Sequence, residues 1–351
     1  MDKFDFICRP KMSWLTVNRQ CNFRCPWCYG EDTHYEPKDT MSLAMAKELT
    51  RINLDVGVRY TNIIGGEPTL WPSLFEFNEY CRQVGMSTCL VTNAARFGDD
   101  SFWDAYRQSP SDEVSVSVKT VDRDEFKFIT KSRLFDQTMR GIERAIGFHS
   151  AGASTVYNSL VGLDGLKRIA LRCKELGASY FVVDLCTPVV SKDGVLPGFS
   201  IEPTQLAKDI MVIQPYLDEL YDGKVEIAIY IPLCLFPEAF VELMMEKRQL
   251  TTICHVYDRS GLNFDVNGDV MVCNQLFDSY IARKATDYED GTDLMKQINS
   301  KAVRNDYRQL LRYPADTCSD CRWNLDCRGG CLLNWVLYDS SICHAVAKAN
   351  A

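Results

Sequence analysis

The sequence predicts an α/β fold built on a parallel sheet, followed by a smaller region that is rich in loops and cysteine. Three observations predict it. β-branched runs alternate with helical patterns over the first two thirds of the chain, this alternation stops near residue 232, and seven of the sixteen cysteines follow between Cys254 and Cys343. Strands that alternate with helices form βαβ units with right-handed crossovers. Periodicity does not decide between a barrel and an open doubly wound sheet.

The individual elements follow from these runs. The strand candidates are 15–18, 59–64, 88–92, 113–118, 154–161 and 180–185. The clearest helix begins at Ser42, and its following turns carry Met45, Leu49 and Ile52 on one face. The other helix candidates are 73–84, 137–149, 163–176 and 204–220. The charged stretch 283–293 is interpreted as a solvated loop, and the predicted domains are 1–235 and 236–351.

Composition excludes several classes of protein. The 351 residues are 46% hydrophobic and 25% charged, as in ordinary globular proteins, which excludes a disordered or collagen-like chain. Lys and Arg number 39 against 47 for Asp and Glu, a net charge of −8 that disfavours a nucleic-acid partner. No apolar run reaches the roughly 18 residues of a membrane span, and the start lacks the pattern of a signal peptide. We therefore expect a cytoplasmic protein without a membrane partner.

The number of cysteines is the unusual feature of this composition. A reducing cytoplasm does not favour disulfides, so sixteen cysteines are expected to be metal ligands, catalytic thiols or small buried residues. Only four histidines are present, so a metal site would depend on thiolates.

The first cysteine group follows the first predicted strand with the spacing C-x3-C-x2-C, at Cys21, Cys25 and Cys28. Three thiolates on one loop can hold three irons of a cubane cluster, whereas such clusters are normally held by four cysteines. An iron without a protein ligand would then remain for another molecule. Zinc is the alternative, although structural zinc sites need four ligands.

A second motif, Gly65-Gly66-Glu67-Pro68, follows the second predicted strand. It therefore lies at the same carboxyl edge of the sheet as the cysteine loop, where α/β folds bind ligands. The glycines permit close approach of a ligand, Glu67 offers acceptors to an ammonium group, and Pro68 fixes the turn. An ordinary strand-to-helix turn would explain the glycines and the proline but not the glutamate.

Together these motifs resemble those of the radical S-adenosylmethionine (radical SAM) superfamily, with Trp27 as the aromatic residue of the cysteine loop. The resemblance covers about residues 12–230 and implies a partial (β/α)6 TIM-type barrel. It implies that the cluster held by Cys21, Cys25 and Cys28 binds S-adenosylmethionine. The implied cofactor contacts are Trp27, Gly65, Gly66, Glu67, Pro68, Asn93 and Ser117. Lys119 stands where many relatives have aspartate.

The later cysteines resemble the seven-cysteine SPASM extension of radical SAM enzymes. Their spacing is C-x13-G-x4-C, a gap, C-x2-C-x5-C-x3-C, a second gap and a final C. The resemblance implies two auxiliary 4Fe-4S clusters, and hence three 4Fe-4S clusters in all. The implied ligands are Cys318, Cys321, Cys327 and Cys343 for the outer cluster, and Cys254, Cys273 and Cys331 for the nearer one. A zinc-ribbon-like staple is the alternative.

Six cysteines fall outside both motifs. They are Cys8, Cys81, Cys89, Cys173, Cys186 and Cys234. Most of them stand among apolar residues, so we expect small buried side chains.

The resemblance implies reductive cleavage of S-adenosylmethionine to a 5′-deoxyadenosyl radical, which abstracts a hydrogen atom from the substrate. The expected partners are a ribosomally made precursor peptide or a protein substrate, a one-electron reductant of the flavodoxin or ferredoxin type, and a leader-binding protein if that function is carried by a separate chain. Cross-linking of the peptide is the favoured outcome. Sulfatase-maturase-like oxidation is disfavoured, because Asn274 stands where those relatives have an aspartate base. Dehydrogenation of a small molecule is an alternative, and a non-catalytic iron–sulfur or zinc scaffold is the least favoured.

Overall fold

The structure, a computed structural model, describes residues 7–30, 36, 38–149, 151–191, 193–252, 254–276, 279–310, 314 and 316–343. The strands of these ranges are β1 (Met12–Thr16), β2 (Tyr60–Ile64), β3 (Ser87–Thr92), β4 (Glu113–Ser117), β5 (Ala153–Tyr157), β6 (Phe181–Leu185), β7 (Val189–Ser191), β8 (Gly194–Leu196), β9 (Val225–Ala228), β10 (Leu250–Thr251), β11 (Gly261–Phe264), β12 (Val270–Met271) and β13 (Tyr280–Ala282).

Eleven of these strands form one sheet in the order β10-β9-β6-β5-β4-β3-β2-β1-β11-β12-β13, and β7 pairs with β8 in a separate hairpin. All neighbours from β10 to β11 are parallel, whereas β12 and β13 are joined antiparallel. The sheet is thus largely parallel and has two free edges.

The helices connect the strands. They are α1 (Leu43–Asp55), α2 (Leu74–Val84), α3 (Asp100–Tyr106), α4 (Arg123–Thr130), α5 (Phe135–His149), α6 (Gly162–Glu175), α7 (Pro203–Leu220), α8 (Glu238–Glu246), α9 (His255–Asp258), α10 (Gly291–Ile298), α11 (Lys301–Leu310), α12 (Asn324–Cys327) and α13 (Asn334–Leu337). At least one helix follows each of β1 to β6, which confirms the predicted partial (β/α)6 architecture.

The helix predicted from Ser42 is confirmed. The Ser42 hydroxyl accepts a hydrogen bond from the Met45 backbone N–H at 3.1 Å, which is the usual N-cap contact. Leu49 and Ile52 of α1 are buried in the main core. Amphipathic spacing and a capping residue were sufficient to predict this element.

Some predicted strand ends were wrong. The strand predicted at 154–161 ends at Tyr157, because the Asn158 side-chain oxygen accepts hydrogen bonds from the Leu160 and Val161 backbone N–H groups and turns the chain into α6. Periodicity also missed β9, β10 and β11, which are only two to four residues long. Since β11 pairs with β1, the sheet continues past residue 235, and the division into 1–235 and 236–351 stays a prediction.

The interpretation of 283–293 as a solvated loop is confirmed for most of this stretch, because residues 283–290 belong to no helix or strand and most of them are exposed, whereas α10 begins at Gly291. Lys284 forms an ion pair with Glu48 of α1 at 2.8 Å. The Tyr288 side chain is buried and its hydroxyl donates to the Gly268 carbonyl. Paired charges and one buried aromatic ring therefore anchor this stretch to the sheet.

The two faces of the sheet differ in burial. On β6, Phe181, Val183 and Leu185 are buried, whereas the alternate residue Asp184 is partly accessible. Asp184 stands beside Val156 in register, and Val156 packs on the cysteine loop. Asp184 therefore shares the inner face of the barrel with that loop. Within the ranges given above, no helix has the length and apolar composition needed to cross a bilayer.

Candidate active site

The cysteine loop is held against the end of β2 by backbone hydrogen bonds. The Gly66 N–H donates to the Asn18 carbonyl at 2.9 Å, and the Glu67 N–H donates to the Gln20 carbonyl at 2.7 Å. A Cβ on Gly65 would lie 2.4 Å from Asn18 Oδ1, and one on Gly66 would lie 2.4 Å from the Gln20 carbonyl oxygen. The loop itself thus occupies the space beside these two glycines, where we had expected a ligand.

The first thiols accept hydrogen bonds from their own loop. The Phe23 N–H donates to Cys21 Sγ and the Gly30 N–H donates to Cys28 Sγ, both at 3.4 Å. Burial, and then the Glu67 carboxylate, raises the pKa of Cys21 to about 12. A thiol in this setting stays protonated unless a cation binds, and metal binding removes that proton.

Trp27 shields one side of this loop. It is buried together with Phe23, Phe126, Ile129 and Cys186 in a small apolar cluster that is separate from the main core. The rings of Phe23 and Phe126 meet edge to face at 5.2 Å. Water is therefore kept from this side of the three thiols.

The Glu67 carboxylate is buried and accepts four hydrogen bonds from neighbouring residues. Its Oε1 accepts from the Thr69 N–H at 3.1 Å, from the Thr69 hydroxyl at 2.6 Å and from the Thr92 hydroxyl at 2.6 Å. Its Oε2 accepts from the Asn93 N–H at 2.8 Å. These four hydrogen bonds join the ends of β2 and β3, with Pro68 opening a short turn behind Glu67. The contact of Glu67 with an ammonium ligand stays a prediction.

Asn18 has a buried acceptor without a partner beside the Gly65–Pro68 segment. Its side-chain N–H donates to the Glu67 carbonyl at 3.0 Å, while its buried Oδ1 has no hydrogen-bond partner among the described residues. Leaving a buried acceptor unsatisfied costs about 1–3 kcal/mol. This oxygen lies beside Gly65 and suits a protonated amino group. No sequence motif marked it, although it follows the first strand directly.

Asn93 and Ser117 lie at the ends of the next two strands. The Asn93 side-chain N–H donates to Asn22 Oδ1 at 2.7 Å and lies 4.0 Å from Cys21 Sγ, so Asn93 braces the cysteine loop. The Ser117 hydroxyl accepts from Lys119 Nζ at 2.6 Å. Both residues thus lie at the predicted edge, Asn93 in contact with the loop and Ser117 bonded to Lys119.

Charged groups lie farther along the inner face. Burial, and then the Glu226 carboxylate, raises the pKa of Asp184 to about 6, against the opposing effect of Lys119. Burial, and then Asp184, raises the pKa of Tyr230. These side chains form a polar group that motif spacing did not reveal, because it is assembled from residues on or directly after three separate strands, β4, β6 and β9.

Three of the later thiols lie next to this polar group. Burial, and then the neighbouring thiols of Cys273 and Cys254, raises the pKa of Cys331 to about 12. The three thiols are therefore neighbours. The Cys331 N–H donates to the Tyr230 carbonyl at 2.8 Å. We call Cys254, Cys273 and Cys331 the inner thiol group.

Two oxygens beside the inner thiol group lack hydrogen-bond partners among the described residues. They are the buried Tyr257 hydroxyl and Asn274 Oδ1. Asn274 directly follows Cys273 in the sequence, and an amide at this position cannot take up a proton.

One cavity is lined by four further thiols, those of Cys318, Cys321, Cys327 and Cys234. Cys343 hydrogen-bonds to Cys234 and is influenced by Cys318 and Cys327. We call these five residues the outer thiol group. The prediction that Cys234 is a small buried residue outside the sites was therefore wrong.

A buried ion pair connects the first loop to the later region. Arg19 pairs with Asp265, and their side chains are 6% and 0% exposed. Asp265 also accepts from the Val266 N–H at 2.8 Å and from the Tyr280 hydroxyl at 3.3 Å. The first thiol loop and the segment between Cys254 and Cys273 are thus held together.

In the described part of the chain, no three His, Cys, Asp or Glu side chains are grouped closely enough to hold one metal ion. A cubane cluster needs a wider arrangement, since each cysteine binds a different iron. The cysteines form three separate groups, as the sequence predicted.

Comparison with known proteins identifies the family. Residues 15–169 match the model of the Radical SAM superfamily. These residues form a radical SAM domain. Such a domain implies a 4Fe-4S cluster and S-adenosylmethionine as cofactors, and the loop thiols with the unpartnered Asn18 oxygen suit both.

Two solved structures are similar to this radical SAM enzyme over nearly its whole length. SuiB of Streptococcus suis, bound to the precursor peptide SuiA, is 18% identical with a TM-score of 0.70, over 95% of this chain and 76% of SuiB. His-tagged anSMEcpe with bound AdoMet is 16% identical with a TM-score of 0.67, over 97% of this chain and 94% of that chain. At such identities the likeness establishes the fold.

Curated relatives match a shorter part of this radical SAM enzyme. The probable GTP 3′,8-cyclase of Methanopyrus kandleri is 29% identical over 208 residues, which is 59% of this chain and 64% of the relative. The GTP 3′,8-cyclase of Chlorobaculum tepidum is 32% identical over 136 residues, which is 38% of this chain and 40% of the relative. The matches thus span less than two thirds of these relatives.

Proposed function

We propose that this radical SAM enzyme modifies a ribosomally made precursor peptide by removing a hydrogen atom from it. The observation that carries the proposal is the presence of three thiol groups, of which the first lies on the loop after β1 and the inner group lies next to Tyr230 at the polar inner face. The first loop provides three thiolates for a 4Fe-4S cluster, and the inner and outer groups provide thiolates for two auxiliary clusters. When bound, the first cluster supplies the electron that cleaves S-adenosylmethionine and so produces the carbon radical that attacks the substrate.

The protein's own residues would bind and position the cofactor. Asn18 Oδ1 would accept a hydrogen bond from the amino group of S-adenosylmethionine, next to the backbone of Gly65. Glu67 and Asn93 would hold the strand ends in place, and Trp27 would exclude water from the thiol loop. The Ser117 hydroxyl accepts a hydrogen bond from Lys119. Its own O–H would therefore be able to donate to a ribose oxygen.

The inner face suits a peptide better than a nucleoside triphosphate. Lys119 is accompanied there by Asp184 and Glu226, so the local charge repels a triphosphate but can pair with the mixed polar groups of a peptide. The whole-length likeness to SuiB and anSMEcpe, both solved with peptides, supports the same choice. Asn274 disfavours a reaction that needs a base next to Cys273, and this favours cross-linking over side-chain oxidation.

The test uses chain reconstituted with iron and sulfide without oxygen and reduced with dithionite. We expect 5′-deoxyadenosine from S-adenosylmethionine in the wild type, and none above background when Cys21, Cys25 and Cys28 are all replaced by alanine. Co-expression with a short peptide encoded beside the gene should give a product lighter by two hydrogens. Cleavage that persists in the triple variant would refute the assignment of the loop.

Cyclisation of GTP is the second candidate, because the curated relatives are GTP 3′,8-cyclases. The same reduced enzyme incubated with GTP distinguishes the two. Consumption of GTP in step with 5′-deoxyadenosine, without any change in the peptide, would favour the cyclase. We expect the opposite result.

A further inference from the structure

The outer thiol group contains one more sulfur than a 4Fe-4S cluster uses. Such a cluster takes one thiolate on each of four irons, and the SPASM resemblance accounts for Cys318, Cys321, Cys327 and Cys343. Cys234 is the fifth. It precedes Cys254 by twenty residues and belongs to no spacing motif.

The fold directs Cys234 into the cavity. It is the middle residue of a single helical turn, Leu233–Leu235, that follows Pro232. Leu233 and Leu235 are buried in the main core at 1% and 3% exposure, while Cys234 is half-buried and lines the cavity. The two leucines therefore anchor the turn, and the cysteine between them faces the other thiols.

This turn is attached to the segment that carries the later cysteines. The Leu233 N–H donates to Cys327 Sγ at 3.2 Å. The Tyr230 carbonyl accepts from the Asn334 side chain at 2.9 Å, and a Cβ on Gly330 would lie 2.5 Å from the same oxygen. The two backbones are thus packed together over several residues, so the position of Cys234 does not depend on one mobile side chain.

Cys234 and Cys343 are direct neighbours. Their thiols are joined by a hydrogen bond, and Cys343 is also close enough to Cys318 and Cys327 to be influenced by both. Cys343 lies at the end of the described chain, one residue after the turn Ser340–Ile342. The two thiols that compete for one position thus come from the barrel side and from the C-terminal side of the molecule.

We propose that Cys234 and Cys343 are interchangeable ligands of the fourth iron in the outer group. This rests on the proposed function, since it assumes that the outer group holds a 4Fe-4S cluster. In the exchange, the iron–sulfur bond to one cysteine breaks and the bond to the other forms. The proton of the incoming thiol passes to the departing thiolate across the hydrogen bond between them, so no oxidant or reductant is needed.

The test compares four variants of the full chain, each reconstituted without oxygen. They are Cys234→Ala, Cys343→Ala, the double variant, and Cys173→Ala, a control because Cys173 is buried in α6. Iron and sulfide per chain, with the electron paramagnetic resonance spectrum of the reduced protein, are measured. The double variant keeps three thiolates in the outer group, as many as the first loop has, so its iron content is not the deciding quantity. We expect the same spectrum in the wild type, both single variants and the control, and a changed or lost signal of the outer cluster only in the double variant, in which the fourth iron has no cysteine.

Three results would overturn the proposal: a changed or lost outer-cluster signal in Cys343→Ala alone, the same change in Cys234→Ala alone, or an unchanged spectrum in the double variant. A wild type that binds no iron refutes the proposed function instead, so the two failures are distinct.

A second measurement needs no variant. Alkylation of the loaded wild type with iodoacetamide, followed by mass spectrometry, should label a fraction of Cys234 and a fraction of Cys343 while Cys318, Cys321 and Cys327 stay protected. Labelling of only one of the two would contradict exchange.

Discussion

The barrel and the later cysteine-rich region position their thiols in different ways. The first three cysteines share one loop, and the buried Glu67 carboxylate and Asn93 hold the neighbouring strand ends. The later cysteines come from segments separated by up to 45 residues. Strands β10 to β13 are two to four residues long, and α9, α12 and α13 have four residues each. Regular structure thus positions the first thiols, whereas the later ones lie on short elements and loops, which we expect a bound metal to stabilise.

Removal of iron is the largest expected effect and tests this comparison directly. A structural metal contributes on the order of 10 kcal/mol to a small domain, so chelation should release segments 254–276 and 316–343 while the barrel strands persist. Hydrogen exchange followed by mass spectrometry should show at least about a hundredfold faster exchange there. Peptides from β2 to β6 are the internal control, and equal acceleration in both regions would contradict the comparison.

Loss of the buried ion pair should affect both regions at once. Asp265→Asn leaves the Arg19 guanidinium buried without its partner charge, so we expect a loss of about 4 kcal/mol in urea unfolding. The cleavage of S-adenosylmethionine should fall as well, because Arg19 lies next to the cysteine loop. The exposed pair Arg123–Asp136 offers a matched control, and Asp136→Asn should leave both quantities unchanged. Equal behaviour of the two variants would show that the pair does not connect the regions.

A pair of glycine substitutions tests the barrel side alone. Gly66→Ala puts a Cβ 2.4 Å from the Gln20 carbonyl and should cost about 3 kcal/mol while displacing the thiol loop. Gly147→Ala in α5 meets no atom within 4 Å and should stabilise the chain by roughly 0.5–1 kcal/mol. Thermal unfolding and 5′-deoxyadenosine production measure both. Normal activity in Gly66→Ala would mean that the loop tolerates the shift.

The smallest effect concerns pH. Because the pKa of Asp184 is raised to about 6 in the folded protein, its ionisation opposes folding as the pH rises from about 4 through 6. Asp184→Asn should therefore be more stable than the wild type at pH 7 by about 2 kcal/mol, after allowance for the partial exposure of the side chain. The difference should vanish near pH 4. A difference that is constant with pH would locate the effect outside this carboxylate.

The sequence predicted the site where chemistry depends on local spacing. The three thiols of the first loop and the Gly65–Pro68 segment follow adjacent strands, so their meeting was predictable from the carboxyl-edge rule alone. The contact between Leu233 and Cys327 joins residues 94 positions apart and depends on the whole sheet, which is why Cys234 was missed. The unpartnered oxygen of Asn18 was missed because hydrogen-bond satisfaction is a property of the folded environment.

The pairing of β1 with β11 has a consequence for synthesis on the ribosome. Met12 and Gly261 are register partners, so the partner of this strand emerges about 250 residues after it. At roughly 5–20 residues per second, β1 spends about 10 to 50 s as an uncovered sheet edge. Such an edge can pair with other chains, so the nascent barrel has a period of aggregation risk that ends only when β11 is added.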